Sequence, residues 1–95
     1  MSQTPTPGRI VLYRLTEDDA RHITQQRAHN GQSGNFVREG DRYPAVVVRT
    51  FPGNPADAVN LQVLLDGPDT YWATSRRLGD DPGTWATIPA PGPGR

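Results

Sequence analysis

The sequence contains no cysteine and no lysine. Without cysteine the chain can form neither a disulfide framework nor a thiolate metal site. All ten basic residues are arginine, and ten acidic residues balance them, so the formal net charge is zero. A general polyanion-binding protein usually carries a basic surface. The charge balance therefore argues against that class.

Long apolar runs are also missing. No segment approaches the roughly 20 apolar residues that a membrane-spanning helix needs. No charged segment is followed by an apolar stretch near the start, so we expect no secretory signal peptide. Hydrophobic residues make up only 34% of the chain, and its 95 residues suit one domain at most.

Glycine and proline, ten of each, concentrate at the two ends of the chain. The segments 1–8 and 89–95 hold eight of them and few apolar residues, too few to offset the entropy cost of ordering. We therefore predict flexible ends around a single domain at 9–88. Within that domain most of the glycines and prolines fall between predicted elements, where they mark turns.

One helix is predicted near the start of the domain. Thr16, followed three residues later by Asp19, forms an approximate capping box, and the acidic first turn suits the positive end of the helix dipole. The pattern predicts a helix over 17–28 with a thin apolar stripe, as expected for a helix on the surface of a domain. A loop rich in Gly, Asn and Ser follows at 29–40.

Five short strands complete the domain. The third is the best defined, because apolar and polar residues alternate from Val59 to Leu65 at the period of a strand. We expect all five strands to pair antiparallel, and short antiparallel strands in a small domain must close on themselves to avoid exposed edges. The predicted strands are 10–13, 43–51, 58–65, 70–75 and 84–88.

We therefore predict a mainly β fold: a small five-stranded SH3-like barrel, with one short helix and the Gly-rich loop inserted between strands 1 and 2. An OB-type barrel is the alternative. Its helix usually comes later in the chain, which favours the SH3-like barrel. A domain of this size has little room for a deep pocket.

The aromatic residues are the first candidates for a binding site. Tyr71 and Trp72 are neighbours on a predicted strand, so they point to opposite faces, one into the core and the other outward. We interpret Trp72 and Trp85 as core anchors of the barrel. An exposed aromatic near the long first loop often lines a ligand groove in SH3-like barrels, and Tyr43, Tyr71 and Trp85 are the candidates for that role.

The only basic doublet, Arg76-Arg77, follows the fourth predicted strand. Its plain interpretation is a solvated loop pair, and the alternative is phosphate binding, because a guanidinium fork matches phosphate geometry. Four aspartates close by in sequence weaken any positive field there. The complete set of candidate ligand-binding residues is Tyr43, Tyr71, Trp72, Arg76, Arg77 and Trp85.

Motifs for catalysis or metal binding are absent from the sequence. There is no G-x-S-x-G, Walker A or G-x-G-x-x-G motif, and the acidic residues lie in turns and at the helix start, where they have capping roles. His22 and His29 are seven residues apart and, without a third ligand, make a weak metal site. We predict a protein that is not an enzyme and holds neither a metal nor a cofactor.

The order of short motifs carries a resemblance. Segments 44–48, 59–63 and 65–67 precede Trp72-Ala73-Thr74-Ser75, and Gly79-Asp80 and Pro82-Gly83-Thr84-Trp85 follow. Over residues 8 to 89 this order resembles small uncharacterised SH3-like β-barrel proteins encoded by phages of actinobacteria. Those proteins commonly end in G-T-W, a second Trp and Pro, where this chain has Ala86-Thr87-Ile88-Pro89. The resemblance implies a phage-encoded β domain in the host cytoplasm or the virion.

Three functions stay open at this point. The first is a non-enzymatic phage accessory or virion-associated binding module, which contacts a virion component or a host protein through barrel edges or the Gly-rich loop. The second is a small-molecule or nucleotide binder that sequesters a host defence signal, with a base stacked on an aromatic ring and a phosphate held by arginine. The third is a nucleic-acid-binding SH3-like domain. No membrane partner is expected, and a homo-oligomer is left open.

Overall fold

The structure is a computed structural model that describes residues 5–51, 53 and 57–89. Of the flexible ends predicted at 1–8 and 89–95, residues 1–4 and 90–95 lie outside the described residues, as does most of the turn after strand 2. Pro5 is buried, and the Gly8 N–H donates to the Val47 carbonyl at 2.7 Å. The elements are β1 (Ile10–Arg14), α1 (Glu17–Asn30), β2 (Arg42–Thr50), β3 (Val59–Leu64), β4 (Thr70–Leu78) and β5 (Thr84–Thr87).

The five strands form a closed barrel in consecutive order. β1 pairs antiparallel with both β2 and β5, and the β2–β3 and β3–β4 pairs are also antiparallel. β4 meets β5 in a short parallel pairing at Arg77 and Leu78, which the all-antiparallel prediction did not include. The consecutive order has no Greek-key exchange, unlike an OB barrel. It confirms the predicted SH3-like barrel with one helix between its first two strands.

The core is formed by the inward faces of the strands. Tyr13 and Trp85 are the largest fully buried side chains, and they sit opposite each other across β1 and β5. The indole N–H of Trp85 donates to the Asp57 carbonyl at 2.9 Å, so the buried ring keeps a polar partner. Trp85 is therefore a core anchor, as predicted. The same prediction is wrong for Trp72, which is 46% exposed because Tyr71 occupies the inner side of β4.

Helix α1 begins with the predicted capping box. The Thr16 hydroxyl accepts from the Asp19 N–H at 2.9 Å, and the Asp19 carboxylate accepts from the Thr16 N–H at 3.0 Å. The helix runs two residues beyond the predicted end, and Gly31 then terminates it with a φ of 65°. Its inner face is more than an apolar stripe, because Asp19 and Arg27 are buried on it beside the apolar residues.

β4 is longer than predicted because it contains a bulge. Ser75 adopts a φ of 57°, and its N–H donates to the Asn60 side chain at 2.9 Å instead of continuing the regular ladder. The β3–β4 register shifts between Val59 and Leu61 at this point.

The bulge decides where the arginine doublet points. Tyr71 and Ala73 face inward, and strict alternation would place Ser75 on the same side. Ser75 is exposed instead, and the following residue, Arg76, turns inward. Arg76 and Arg77 are thus strand residues with side-chain partners, and their interpretation as a solvated loop pair is wrong.

Candidate functional site

A buried carboxylate, Asp19, lies where α1 contacts the barrel, and its side chain is 2% exposed. One carboxylate oxygen accepts from the Tyr13 hydroxyl at 2.5 Å, and the other accepts from the Tyr71 hydroxyl at 2.9 Å and an Arg76 Nη at 3.3 Å. With the Thr16 N–H, four donors serve one carboxylate. We call Asp19, Tyr13, Tyr71 and Arg76 the Asp19 cluster.

These contacts fix the protonation states in the cluster. Burial alone raises the pKa of Asp19, but the hydrogen bonds from Thr16, Tyr13 and Tyr71, with the charge of Arg76, outweigh it and hold that pKa below its ordinary value. Burial and the hydrogen bond to Asp19 raise the pKa of Tyr71 to about 12 and also raise that of Tyr13. At neutral pH an anionic carboxylate is therefore held by two neutral phenols.

Arg76 is the member of the cluster that reaches the protein surface. Its guanidinium carbon lies 5.4 Å from the centre of the Tyr13 ring, within the range of a cation–π contact. Its side chain is 27% exposed, and within the described part of the chain its buried Nε has no hydrogen-bond partner. The cluster joins α1 to β1 and β4. A general acid or base must reach its substrate, and the carboxylate of Asp19 is enclosed, so the arrangement acts as a structural clamp.

A second clamp holds the other half of the helix. Arg27 Nε and Nη2 donate to the two carboxylate oxygens of Asp69 at 2.8 and 3.2 Å, and Nη1 donates to the Asn35 carbonyl at 2.8 Å. The Arg27 and Asp69 side chains are only 9% and 8% exposed. The hydrogen bond from Arg27 lowers the pKa of Asp69. A Cβ on Gly34 would lie 2.7 Å from Arg27 Nη2, so the loop passes closely over the clamp.

Neither clamp was predicted as a cluster. Thr16 and Asp19 carried a local signal because they cap a helix, but the partners of Asp19 on β4 lie more than 50 residues away. Arg27 and Asp69 are 42 residues apart and share no local pattern. The one hint was the thin apolar stripe of α1, which leaves polar residues on its inner face.

Known proteins do not identify the site. No family model, curated protein or solved structure matches the chain. Within residues 5–51, 53 and 57–89, no helix has the length and apolar character to span a membrane. In the same residues no three His, Cys, Asp or Glu side chains come together as metal ligands, and His22 and His29 are both exposed.

The outer surface of β2, β3 and β4 has an unusual composition. Val46, Gln62 and Trp72 lie side by side in register across the three strands. Trp72, Val48 and Leu64 are 46%, 45% and 39% exposed. The outward residues around Trp72 are uncharged, and the exposed Arg42, Arg49 and Arg77 lie at the ends of this surface. We call this surface the Trp72 face: Pro44, Val46, Val48, Asn60, Gln62, Leu64, Thr70, Trp72 and Thr74.

The six residues predicted to bind a ligand do not converge. Tyr71 and Arg76 point into the Asp19 cluster, and Trp85 is 1% exposed in the core. The Tyr43 ring is half-buried, with its hydroxyl 3.5 Å from the Asp41 carboxylate, and burial raises its pKa.

The remaining two candidates are on the outside. Arg77 donates to the Asp57 carboxylate at 2.6 Å, and Asp57 also accepts from the Leu78 N–H at 3.2 Å. Trp72 alone among the six is an exposed aromatic residue. The structure therefore does not assemble a base-stacking ring and two unpaired arginines, which the nucleotide hypothesis requires.

Proposed function

We propose that the chain is a non-enzymatic binding module that acts by protein–protein contact through the Trp72 face. The observation that carries the proposal is a half-exposed tryptophan ring in the middle of an uncharged sheet surface. Interface centres are depleted in charge and enriched in aromatic residues, and tryptophan is frequent among residues that dominate binding energy. Because the barrel is closed, the contact is placed on a sheet face instead of a strand edge.

The non-enzymatic part of the proposal is supported by how the buried acids are used. Asp19 is saturated by donors, and Asp69 and Asp57 each bind an arginine. These acids hold elements together, and none is placed to exchange a proton with a bound substrate. Their pKa values are all lowered, whereas a general base that works near neutral pH needs a raised one.

The Trp72 face suits a partner with an uncharged, largely apolar surface. A charged partner surface would lose water at the centre of this face without gaining an ion pair there. The sequence resemblance supports a phage setting, in which the partner is a virion component or a host protein. In that setting the protein is an accessory or virion-associated protein made in the host cytoplasm.

The test uses two substitutions on the face and a matched one away from it. Trp72→Ser and Leu64→Ser remove apolar contact area from the face, whereas Phe36→Ser removes a more exposed aromatic residue from the Gly-rich loop. All three positions lie on the surface, and the free energy of unfolding of each variant is measured first, so that binding is compared between folded proteins. Partners are first captured from phage-infected cells and then purified for measurement of Kd.

We expect Trp72→Ser to weaken binding to the purified partner about tenfold or more, as truncation of a central interface residue does. Phe36→Ser should bind like the wild type. Wild-type affinity in both face variants, with their melting curves unchanged, would contradict the proposal. Sedimentation of the wild type as a dimer that Trp72→Ser converts to monomer would identify a second copy of the chain as the partner.

A further inference from the structure

Two arginines meet at a second place on the barrel surface. Arg14 on β1 and Arg42 on β2 are directly opposite in the antiparallel register. Both line a cavity of about 220 Å³ whose other walls come from β5 and the β4–β5 loop. Leu12, Ala86 and Pro89 give the cavity an apolar side.

Arg14 is held in place without being neutralised. Its Nε donates to the Gly40 carbonyl at 3.2 Å, and an Nη donates to the Asp80 carbonyl at 2.6 Å. Backbone carbonyls accept hydrogen bonds but carry no net charge, so the guanidinium is oriented and keeps its full positive charge. A group fixed before binding loses little entropy when a ligand arrives.

The arrangement is unfavourable without an anion. Like charges directly opposite each other on paired strands destabilise the pair. Among the described residues, the ion pairs within 4 Å belong to Arg21, Arg27, Arg76 and Arg77, and none includes Arg14 or Arg42. Asp80 also lines the cavity, and its contact with Arg14 is through its carbonyl. Two guanidinium groups are therefore left facing one cavity.

We propose that this cavity binds a small oxyanion, a carboxylate or a phosphate, between Arg14 and Arg42. Guanidinium groups bind the oxygens of both anions through paired N–H donors. The apolar part of the ligand lies against Leu12 and Ala86. Pockets for drug-sized ligands measure roughly 300–1,000 Å³, so a cavity of about 220 Å³ selects a compact ligand. The cavity shares no lining residue with the Trp72 face and adjoins it at Pro44, which pairs with Leu12.

Titration of the ¹⁵N-labelled protein with sodium benzoate and with inorganic phosphate, each at an ionic strength fixed by chloride, tests the proposal. We expect saturable shifts of the Leu12, Arg14, Gly79 and Thr84 amide signals. Saturation by benzoate alone assigns the site to organic carboxylates, and saturation by phosphate alone assigns it to phosphates. Absence of a saturable shift with both anions would overturn the proposal.

Arginine substitutions distinguish binding in this cavity from a general electrostatic attraction between the anion and the protein. Arg42 is exposed, and Arg42→Gln should weaken binding about tenfold, as the loss of one hydrogen bond to a charged group does. Arg14→Gln should weaken it at least as much, with circular dichroism confirming that the variant folds. Arg9→Gln makes the same charge change at an exposed position outside the cavity and should leave Kd unchanged. Equal weakening by Arg9→Gln and Arg42→Gln would overturn the proposal.

Discussion

Helix α1 is fastened to the rest of the protein at two points, and the two clamps use buried charges of opposite sign. At the first, the carboxylate of Asp19 accepts from two phenols, one backbone N–H and one arginine. At the second, the guanidinium of Arg27 is matched by one carboxylate, that of Asp69, in a two-pronged pair. The charge of Asp19 is shared among four donors, whereas the charge of Arg27 is balanced by a single carboxylate.

The difference lies in what remains when the central charge is removed. Loss of Arg27 leaves the charge of Asp69 buried and unbalanced, which is the costly outcome for a buried pair. Loss of the charge on Asp19 leaves two neutral hydroxyls and an arginine that is partly exposed to water, but no buried charge without a partner. The clamp with many partners should therefore tolerate damage better than the clamp with one.

The largest effect is expected from Arg27→Met. The substitution keeps the length of the side chain but strands Asp69, and the free energy of unfolding should fall by about 3–5 kcal/mol. Urea denaturation measures it. Adding Asp69→Leu should recover most of the loss, because a buried pair replaced on both sides leaves no orphan charge. A double variant no more stable than the single one would show that the clamp is not a two-member unit.

Asp19→Asn should cost less, about 2–3 kcal/mol, because the amide keeps the shape and one acceptor oxygen. Arg76 loses its counter-charge and one tyrosine hydroxyl loses its acceptor. In contrast to the other clamp, adding Arg76→Met should recover little, since one tyrosine hydroxyl still lacks its acceptor. Urea denaturation measures the free energy of unfolding of both variants. Recovery as complete as in the Arg27 and Asp69 double variant would show that the two clamps respond to damage in the same way.

The two clamps should also separate at high pH. Both contain an aspartate whose pKa is lowered, so both contribute stability that is present above about pH 4 and lost as the pH falls further. Only the Asp19 cluster contains tyrosines, and the pKa of Tyr71 is raised to about 12. Its contribution is complete below about pH 10, the ordinary tyrosine pKa, and disappears as the pH rises toward 12.

The expected loss from Tyr71 is about 2 kcal/mol, measured as the free energy of unfolding from pH 8 to about 12. The chain has no lysine, so tyrosine ionisation dominates that range. Tyr71→Phe should reduce the alkaline loss markedly. Tyr43→Phe is the control, because Tyr43 lies outside the cluster and burial also raises its pKa. If both variants reduced the alkaline loss of stability equally, that loss would not come from the Asp19 cluster.

The smallest effect is expected from Tyr71→Phe at neutral pH, about 1 kcal/mol, because a single hydrogen bond among four is lost. The ring stays in place, so packing should not change. Near-ultraviolet circular dichroism checks the packing, and thermal unfolding measures the cost. A loss as large as that of Asp19→Asn would mean that the partners of the carboxylate are not independent supports.

Local chemistry predicted the architecture well. The capping box of Thr16 and Asp19, the alternation from Val59 to Leu65 and the position of the helix between the first two strands were all visible in short windows. Each depends on residues close in sequence, where hydrogen-bond and packing geometry is fixed by the backbone period.

The candidate site depended on longer-range information. Adjacent strand positions place Tyr71 and Trp72 on opposite faces, but their inward and outward sides are decided by the tyrosine hydroxyl, which reaches Asp19. Hydrophobicity alone favoured a buried Trp72. The inward turn of Arg76 depends on the left-handed backbone conformation of Ser75, which serine rarely adopts. The neighbouring residues carry no sequence signal that predicts this conformation.

The return of β5 to β1 has a consequence for how fast the protein folds. Val11 pairs with Thr87, so the edge that closes the barrel joins residues 76 positions apart. Contacts of such long range must be paid for in chain entropy before they add stability, and proteins rich in them fold slowly, in milliseconds to seconds. Until β5 arrives, one edge of β1 is unpaired and open to pairing with another chain. The chain is therefore most prone to aggregation before the barrel closes.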